Sequence, residues 1–463
     1  MHLFVHYIYR RESCKENIDM KRSLVFAAAA MSVAFAFAGG VENKTNMSTG
    51  YLRNPSRNAE FQRPEAAFYN IAGTAFMNDG LWIEAGNQFV FKEYKHEVED
   101  DMVKALLESK NIVTSSSDTT TVWLYPDFDA VYHKGDFAVF ANFGIYAGGG
   151  TLNFDDGSAA IGEKLLSAAG EAQTAAQRYA AVGQTAAAQT YGYMAQAAAG
   201  AAPDHSLKIN SITYGGQLGG SYKFLDGMVS VGAAVRMVYG TQSMELTSGN
   251  AMFKTVNDGD TIGYDAKATG FGAVFGAHAR PIDKLDVSLQ YSTINKIKYK
   301  VDNVDGKLAA GLGIEDGKKF NTDLPACLGL GAAYNVIDPL LLSFSCNYYF
   351  NKQATMDSVL GETDYDNSIE FALGADYKIN DMIGASVGFS YSKQGTNDES
   401  NSYFSPVLDS FAIGGGVEVT PIENLTLTAA GMWVNYFDED YDPFKLSKDL
   451  FMASIGVTYR LPF

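Results

Sequence analysis

The sequence predicts an all-β fold: a 14-stranded antiparallel transmembrane β-barrel, with an N-terminal hatch (plug) inside the lumen and a helical insertion in one extracellular loop. Three observations carry this. From residue 81 to Phe463 the chain alternates apolar and polar residues, strand after strand. The connections between these runs alternate short and long, the rhythm of turns on one side of a membrane and loops on the other. The composition is rich in Phe (29), Tyr (27) and Gly (46) and poor in Pro (11), which suits aromatic girdles at two membrane interfaces.

Lys21 and Arg22 are followed by an apolar run from Ser23 to Phe37 and by small residues at Ala36 to Ala38. This reads as a secretory signal peptide rather than an anchor. The real start is then Met20, and residues 1–38 are an upstream extension plus signal. Their removal takes away five basic residues (Arg10, Arg11, Lys15, Lys21, Arg22) and three acidic ones (Glu12, Glu16, Asp19). What is left is more acidic than the formal −18 of the whole chain. Such a balance excludes nucleic acid as a partner, because phosphate binding wants a basic face.

Residues 39–80 form the expected plug. Tyr51 to Gly80 is polar and charged, with neither strand alternation nor a sustained helical face. Its Arg53, Arg57, Arg63 and Glu65 suit a wet, polar barrel interior.

The barrel spans residues 81–463. Its strands fall at about 81–94, 120–134, 136–148, 207–224, 228–246, 263–280, 285–301, 323–336, 340–354, 367–379, 383–394, 409–420, 425–438 and 450–463. Six tight turns join them in pairs. Seven longer connections lie at 95–119, 149–206, 247–262, 302–322, 355–366, 395–408 and 439–449. Closure is required because no strand edge can face lipid unpaired. An even count puts both ends of the barrel on the periplasmic side. In 149–206 the Ala-rich stretch from Ser158 to Gly200 favours two or so short helices outside the barrel. The last strand alternates Phe451, Ala453, Ile455, Val457, Tyr459, Leu461 and Phe463 toward lipid with Met452, Ser454, Gly456, Thr458 and Arg460 toward the interior. The terminal Phe463 resembles the signal by which the barrel assembly machinery of Gram-negative-type cells recognises outer-membrane proteins.

Phe68-Tyr69-Asn70-Ile71-Ala72-Gly73 resembles the hatch sequence of the FadL/TodX (outer membrane protein P1) family, in which a Pro stands where this chain has Ile71. Ala141-Asn142-Phe143-Gly144, with the glycines Gly148 to Gly150, is similar to the family's strand 3 sequence, where a kink breaks the wall and leaves a lateral hole. The resemblance implies passive transport of long-chain fatty acids or other hydrophobic small molecules. Extracellular loops capture the ligand, the hatch shifts, and the ligand leaves through the wall into outer-membrane lipid. The ligand and hatch residues so implied are Phe68, Asn70, Ile71, Ala72 and Gly73, with Asn142, Phe143 and Gly144 at the lateral opening.

Alternation places Lys223, Arg236, Arg280 and Arg460 inward, and the first three are candidate contacts for a carboxylate head group. Pairing with plug or wall acids such as Glu65 and Glu84 is the other reading of these cations. A general diffusion porin and a surface adhesin stand as alternative functions. No Ser–His–acid set is readable around His96, His133, His205 or His278, so an enzyme is not expected. Neither a cofactor nor a metal site is expected, acidic runs such as Asn257 to Asp260 reading as solvated surface. The protein is expected to be a monomer. Cys327 and Cys346 fall on neighbouring strands, which allows a disulfide and equally two separate thiols.

Overall fold

The computed structural model describes residues 46–361, 363–397, 400 and 407–463. The expected signal peptide and residues 39–45 lie outside the described residues. Eighteen strand segments form one continuous sheet that closes on itself. Four of the segments continue or precede a neighbour in the same strand, so the wall has 14 strands. These are β1 (Gly80–Val98), β2 (Thr121–Lys134, after a short Ser115–Asp118), β3 (Phe137–Phe154), β4 (Ser206–Phe224), β5 (Val229–Thr247), β6 (Thr261–Ile282) and β7 (Leu285–Ser292, continued by Lys296–Asp305). They continue as β8 (Cys327–Ile337, after Lys319–Asn321), β9 (Leu340–Tyr349), β10 (Ser368–Lys378), β11 (Ile383–Lys393), β12 (Ser410–Ile422), β13 (Leu425–Tyr436, continued by Glu439–Tyr441) and β14 (Phe444–Leu461). β1 and β14 close the barrel through an unbroken antiparallel ladder from Leu81↔Leu461 to Val98↔Phe444. Every backbone group along this seam has a partner, as hydrocarbon requires.

Alternation sorts the wall. On β14, Phe451, Ile455, Val457, Tyr459 and Leu461 are exposed toward lipid, while Met452, Ser454 and Thr458 are buried inside. Among the described residues no helix is long and apolar enough to cross a membrane. The strands are the crossing elements.

The structure corrects several boundaries. Residues 439–449 are not a long loop: β13 and β14 meet in a tight hairpin at Tyr441–Phe444. Phe444 and Leu446 point inward and are buried, so β14 runs six residues further than the alternation from 450 indicated. β1 and β3 are likewise longer, to Val98 and Phe154. Strand 9 stops at Tyr349, where a short 3₁₀ turn (Asn351–Gln353) takes over.

Cys327 and Cys346 are separate thiols. Cys346 lies opposite lipid-facing Leu330 and Cys327 opposite Tyr349, so the two side chains point to opposite faces of the wall. Facing side chains are needed for a bridge.

The loop between β3 and β4 holds the antiparallel pair of helices, longer than expected: α4 (Ala159–Ala181) and α5 (Thr185–Ala201), after the short helices α1 (Thr49–Arg53) and α2 (Ala66–Tyr69) of the inner segment and α3 (Asp101–Ser109) in the first loop. Ala172, Ala176 and Ala195 let α4 and α5 approach closely, and Tyr179 stacks on Tyr191 at 5.2 Å. Leu107, Ile161, Leu165, Leu246 and Ile262 join loops and upper strands in one apolar cluster over the barrel mouth.

Candidate functional site: an inner segment, a cavity above it and a gap in the wall

The inner segment is bonded to strands all round the barrel. On one side the bonds are ionic. Arg53 meets Asp376 of β10 at 2.8 Å and Glu418 of β12 at 3.4 Å, and Arg63 meets Glu418 at 2.9 Å. Arg57 is fully buried among Glu60 (2.6 Å), Glu65 (3.2 Å) and Asp376 (3.4 Å). On the opposite side the bonds are neutral. Gln290 of β7 bridges the Phe68 carbonyl and the Ile71 amide at 2.8 and 3.0 Å. Ser230 of β5 donates to the Ala72 carbonyl at 2.7 Å, and Asn70 bonds the His278 ring at 2.9 Å. Ion pairs with buried partners resist separation more than neutral hydrogen bonds do. The half of the segment that carries Phe68 to Gly73 is thus held to the wall by neutral hydrogen bonds, without an ion pair among the described residues.

Close approach of two backbones explains part of the glycine content. At Gly331 an added Cβ would sit 2.5 Å from the Ala59 nitrogen and the Asn58 carbonyl carbon, both main chain. Only glycine leaves the inner segment room there.

Above the inner segment, on the loop side, lies a cavity with about 940 Å³ of empty space, part of it open to solvent. Tyr51 and Asn46 form its floor. Val90, Val122, Ile145, Ile212, Met432 and Leu450 give it apolar walls. Two cations face it. Lys92 pairs with Asp118 at 3.2 Å. The Lys448 Nζ lies 4.3 Å over the Tyr436 ring and 4.7 Å over Tyr94, a cation between aromatic faces.

One wall of the cavity is incomplete. β2 and β3 pair only from Lys134↔Phe137 to Phe128↔Phe143. Beyond that, Thr121 to Asp127 pairs with β1 alone and Gly144 to Phe154 with β4 alone. Among the described residues no ladder joins the two strands there. Two features of sequence produce the break. Pro126 of β2 has no N–H to donate toward a neighbour, which restricts it to a strand edge. β3 loses register with β4 between Ile145 and Gly150, where Gly148 and Gly150 adopt φ of 93° and 77°. A Cβ on Gly148 would fall 2.3 Å from the Ser211 carbonyl oxygen, so the bend needs glycine at that point. It therefore centres a few residues beyond Gly144. The gap is spanned by side chains: Tyr125 donates to the Ile145 carbonyl at 3.2 Å, and the Lys92 ammonium donates to the Thr151 carbonyl. Val122, Tyr125, Ile145, Gly148 and Gly150 line both gap and cavity.

The residues singled out from sequence fall into two groups. Phe68, Asn142 and Arg236 meet through Tyr146. Phe68 packs edge-on against the Tyr146 ring at 5.4 Å, the Tyr146 hydroxyl donates to Asn142 at 2.6 Å, and Arg236 lies 5.0 Å over the same ring. Gly144 points inward, with an added Cβ 2.6 Å from the Met47 methyl. Phe143 points to lipid and stacks on Tyr214 at 6.4 Å. Ile71, Ala72 and Gly73 are buried under the wall of β5 and β6. Lys223 and Arg280 lie apart, at the short-turn end. Both sit over the Phe76 ring (5.5 and 5.3 Å), and Arg280 also pairs with Asp286 at 2.9 Å. None of Lys223, Arg236 and Arg280 lines the cavity.

Sequence reasoning passed over Pro126, Tyr125, Lys92 and Lys448 as site residues. Pro126 inside an alternating run was a readable edge signal. Lys448 was missed because β14 was begun at residue 450.

No protein of curated function matches the chain. Among solved structures it is similar in fold to a FadL homologue of Pseudomonas aeruginosa (TM-score 0.62, 16% identity, 91% of this chain and 99% of that one). It is similar also to the toluene transporter TodX of P. putida (TM-score 0.57, 14% identity, 86% and 94%) and to the toluene transporter TbuX of Ralstonia pickettii (TM-score 0.54, 13% identity, 92% and 99%). The profile of the outer membrane protein transport protein family (OMPP1/FadL/TodX) matches residues 166–445. The chain belongs to this family of outer-membrane transport proteins, and its 14-stranded barrel is an outer-membrane one.

Proposed function

We propose that the protein carries long-chain fatty acids or other hydrophobic small molecules across the outer membrane by passive diffusion, with release sideways into lipid. The observation that carries this is the cavity, apolar along Val122, Ile145 and Ile212 and polar at Glu370, Ser390, Ser392 and Gln394, that ends at a stretch of wall where β2 and β3 do not pair. A ligand gathered under the apolar loop cluster enters the cavity. It leaves between Val122 and Gly150 once the inner segment and the Tyr125 bridge give way. An apolar tail is stabilised by roughly 0.8 kcal/mol for each methylene removed from water. Lipid is therefore a better exit than an aqueous pore. The half of the hatch held by neutral hydrogen bonds, Phe68 to Gly73, is the part that shifts.

Lys448 and Lys92 are the cations a carboxylate head group would meet in the cavity. Arg236, beside Phe68 and Tyr146, lies deeper, and Lys223 and Arg280 lie at the short-turn end, off this route. The neighbours' titles name toluene and monoaromatic hydrocarbons, so a neutral ring is the second substrate reading. Recognition of Phe463, which is exposed and stacked on Tyr132, by the assembly machinery belongs to the same proposal.

The test is uptake of labelled fatty acid and toluene into proteoliposomes by wild type and Gly144→Trp. The new ring must enter the space held by the Met47 methyl beside the gap. Uptake falls while the barrel stays folded, shown by heat-modifiable migration on gels. Undiminished uptake by folded Gly144→Trp would defeat the proposal.

A further inference from the structure

We propose that Glu84, Asp127 and Asp129 form a binding site for a single hard divalent cation of the calcium class, placed at the foot of the wall gap. Their carboxylate oxygens come within 4.8 Å of one another, and all three side chains are buried. Two oxygens bound to one Ca²⁺ at 2.3–2.6 Å can be at most about 5 Å apart, so the spacing fits a shared ion. An all-oxygen, carboxylate-rich set selects calcium or magnesium over the softer transition metals.

Buried carboxylates alone would not justify a site. The second observation is a cradle with unused donors. Both oxygens of Asp127 and one of Asp129 have no hydrogen-bond partner among the described residues. Nor does the hydroxyl of Thr49, which is 2% exposed and comes from helix α1 of the inner segment. The Asp127 carboxylate and the Thr49 hydroxyl converge beside Gly86. The position that a Cβ on Gly86 would take lies 2.6 and 2.7 Å from the Asp127 oxygens and 2.9 Å from the Thr49 hydroxyl. Glycine at 86 thus gives the Asp127 carboxylate and the Thr49 hydroxyl room to approach each other over the main chain. The other lone pairs are already used: Thr458 donates to Glu84 at 2.7 Å and Asn142 donates to Asp129 at 2.8 Å, which orients both carboxylates. Arg63 acts on Glu84 only from beyond ion-pair distance, and no lysine or arginine forms a described ion pair with any of the three, so a bound cation would supply positive charge in direct contact.

The location gives the site a consequence. Asp127 lies in the part of β2 that has lost β3, while Asp129 sits at the last rungs of the ladder, opposite Asn142. A cation held by β1, β2 and Thr49 would tie the inner segment to the edge of the gap. The site stands on its own geometry, whether or not the gap is the exit.

The experiment is equilibrium dialysis of ⁴⁵Ca²⁺ with the full refolded barrel, together with thermal unfolding in Ca²⁺ or EDTA. Wild type and the surface control Asp258→Asn are expected to bind one ion with raised melting temperature. Asp127→Asn is expected to lose both effects. Gly86→Ala keeps all three acids but drives a methyl against the Asp127 carboxylate and the Thr49 hydroxyl, and is expected to lose them too, which keeps the test open if Asp127→Asn does not fold. Melting that ignores EDTA, or calcium binding unchanged in the folded variants, would overturn the proposal and leave protons as what neutralises the three acids.

Discussion

Arg57→Met is the substitution whose cost the structure defines most sharply. The guanidinium is buried at the centre of the inner segment, with its Nε on the Asn54 carbonyl at 2.9 Å and its two other nitrogens on Glu60, Glu65 and Asp376. Methionine has a similar length and keeps the packing, so the change removes charge and donors with little cavity. Asp376 retains Arg53 at 2.8 Å. Glu65, 1% exposed, loses its only described ion pair and keeps the Ser48 hydroxyl. Breaking a buried pair by removing one partner costs about 3–5 kcal/mol. We expect Arg57→Met to lose an amount in that range, read by urea unfolding of the refolded barrel. The double variant Arg57→Met/Glu65→Gln should recover part of it, because the stranded charge is gone. The variant should also conduct ions in planar bilayers where wild type does not, since a loosened segment lets water past. A loss below about 1 kcal/mol, or no recovery in the double variant, would refute the view that this cluster anchors the segment.

Lys448→Met should weaken binding of a fatty acid by about 10–100-fold, as expected for loss of a charge-assisted hydrogen bond of about 1.5–3 kcal/mol, and leave toluene binding unchanged. Fluorescent-ligand displacement reads both, and equal effects would remove Lys448 as a head-group contact. Gly331→Ala should destabilise the barrel by about 1–3 kcal/mol, because the new methyl meets main chain rather than a movable side chain, and thermal unfolding reports it. His205 accepts the Ser158 amide at 2.9 Å at the start of α4, and burial holds its pKa below the ordinary value of 6.5. The fold therefore prefers neutral imidazole. Stability from this contact is complete above pH of about 6.5 and falls as the pH drops below it, because the unfolded loop takes up the proton first. Proteolysis of the α4–α5 loop should rise across that range in wild type and less in His205→Gln.

The barrel was legible because its physics is local. Period-two alternation and tight turns mark each strand, and hydrocarbon forces closure. Strand ends were less legible where inward residues continue the pattern above the membrane, as Phe444, Leu446 and Lys448 do on β14. The inner segment announced itself by lacking alternation, yet its anchoring did not. Arg57 meets Asp376 only because strands 319 residues away in sequence curve back around it. The wall gap was half legible. The break involves β3, which carries Asn142-Phe143-Gly144 and the glycines Gly148 to Gly150, but it also depends on Pro126 in the facing strand, which was passed over within an alternating run. The acidic cluster was illegible as a unit, since Glu84 and Asp127 come together only when β1 and β2 pair.

The most direct measurement is a reversible lock on the gap. In a background with Cys327→Ser and Cys346→Ser, Val122→Cys and Gly150→Cys place two thiols across it, an added Cβ at residue 150 lying 3.5 Å from a Val122 methyl. Uptake of labelled fatty acid into proteoliposomes should stop when the pair is oxidised and return when it is reduced. Full uptake by the oxidised, folded barrel would contradict lateral release.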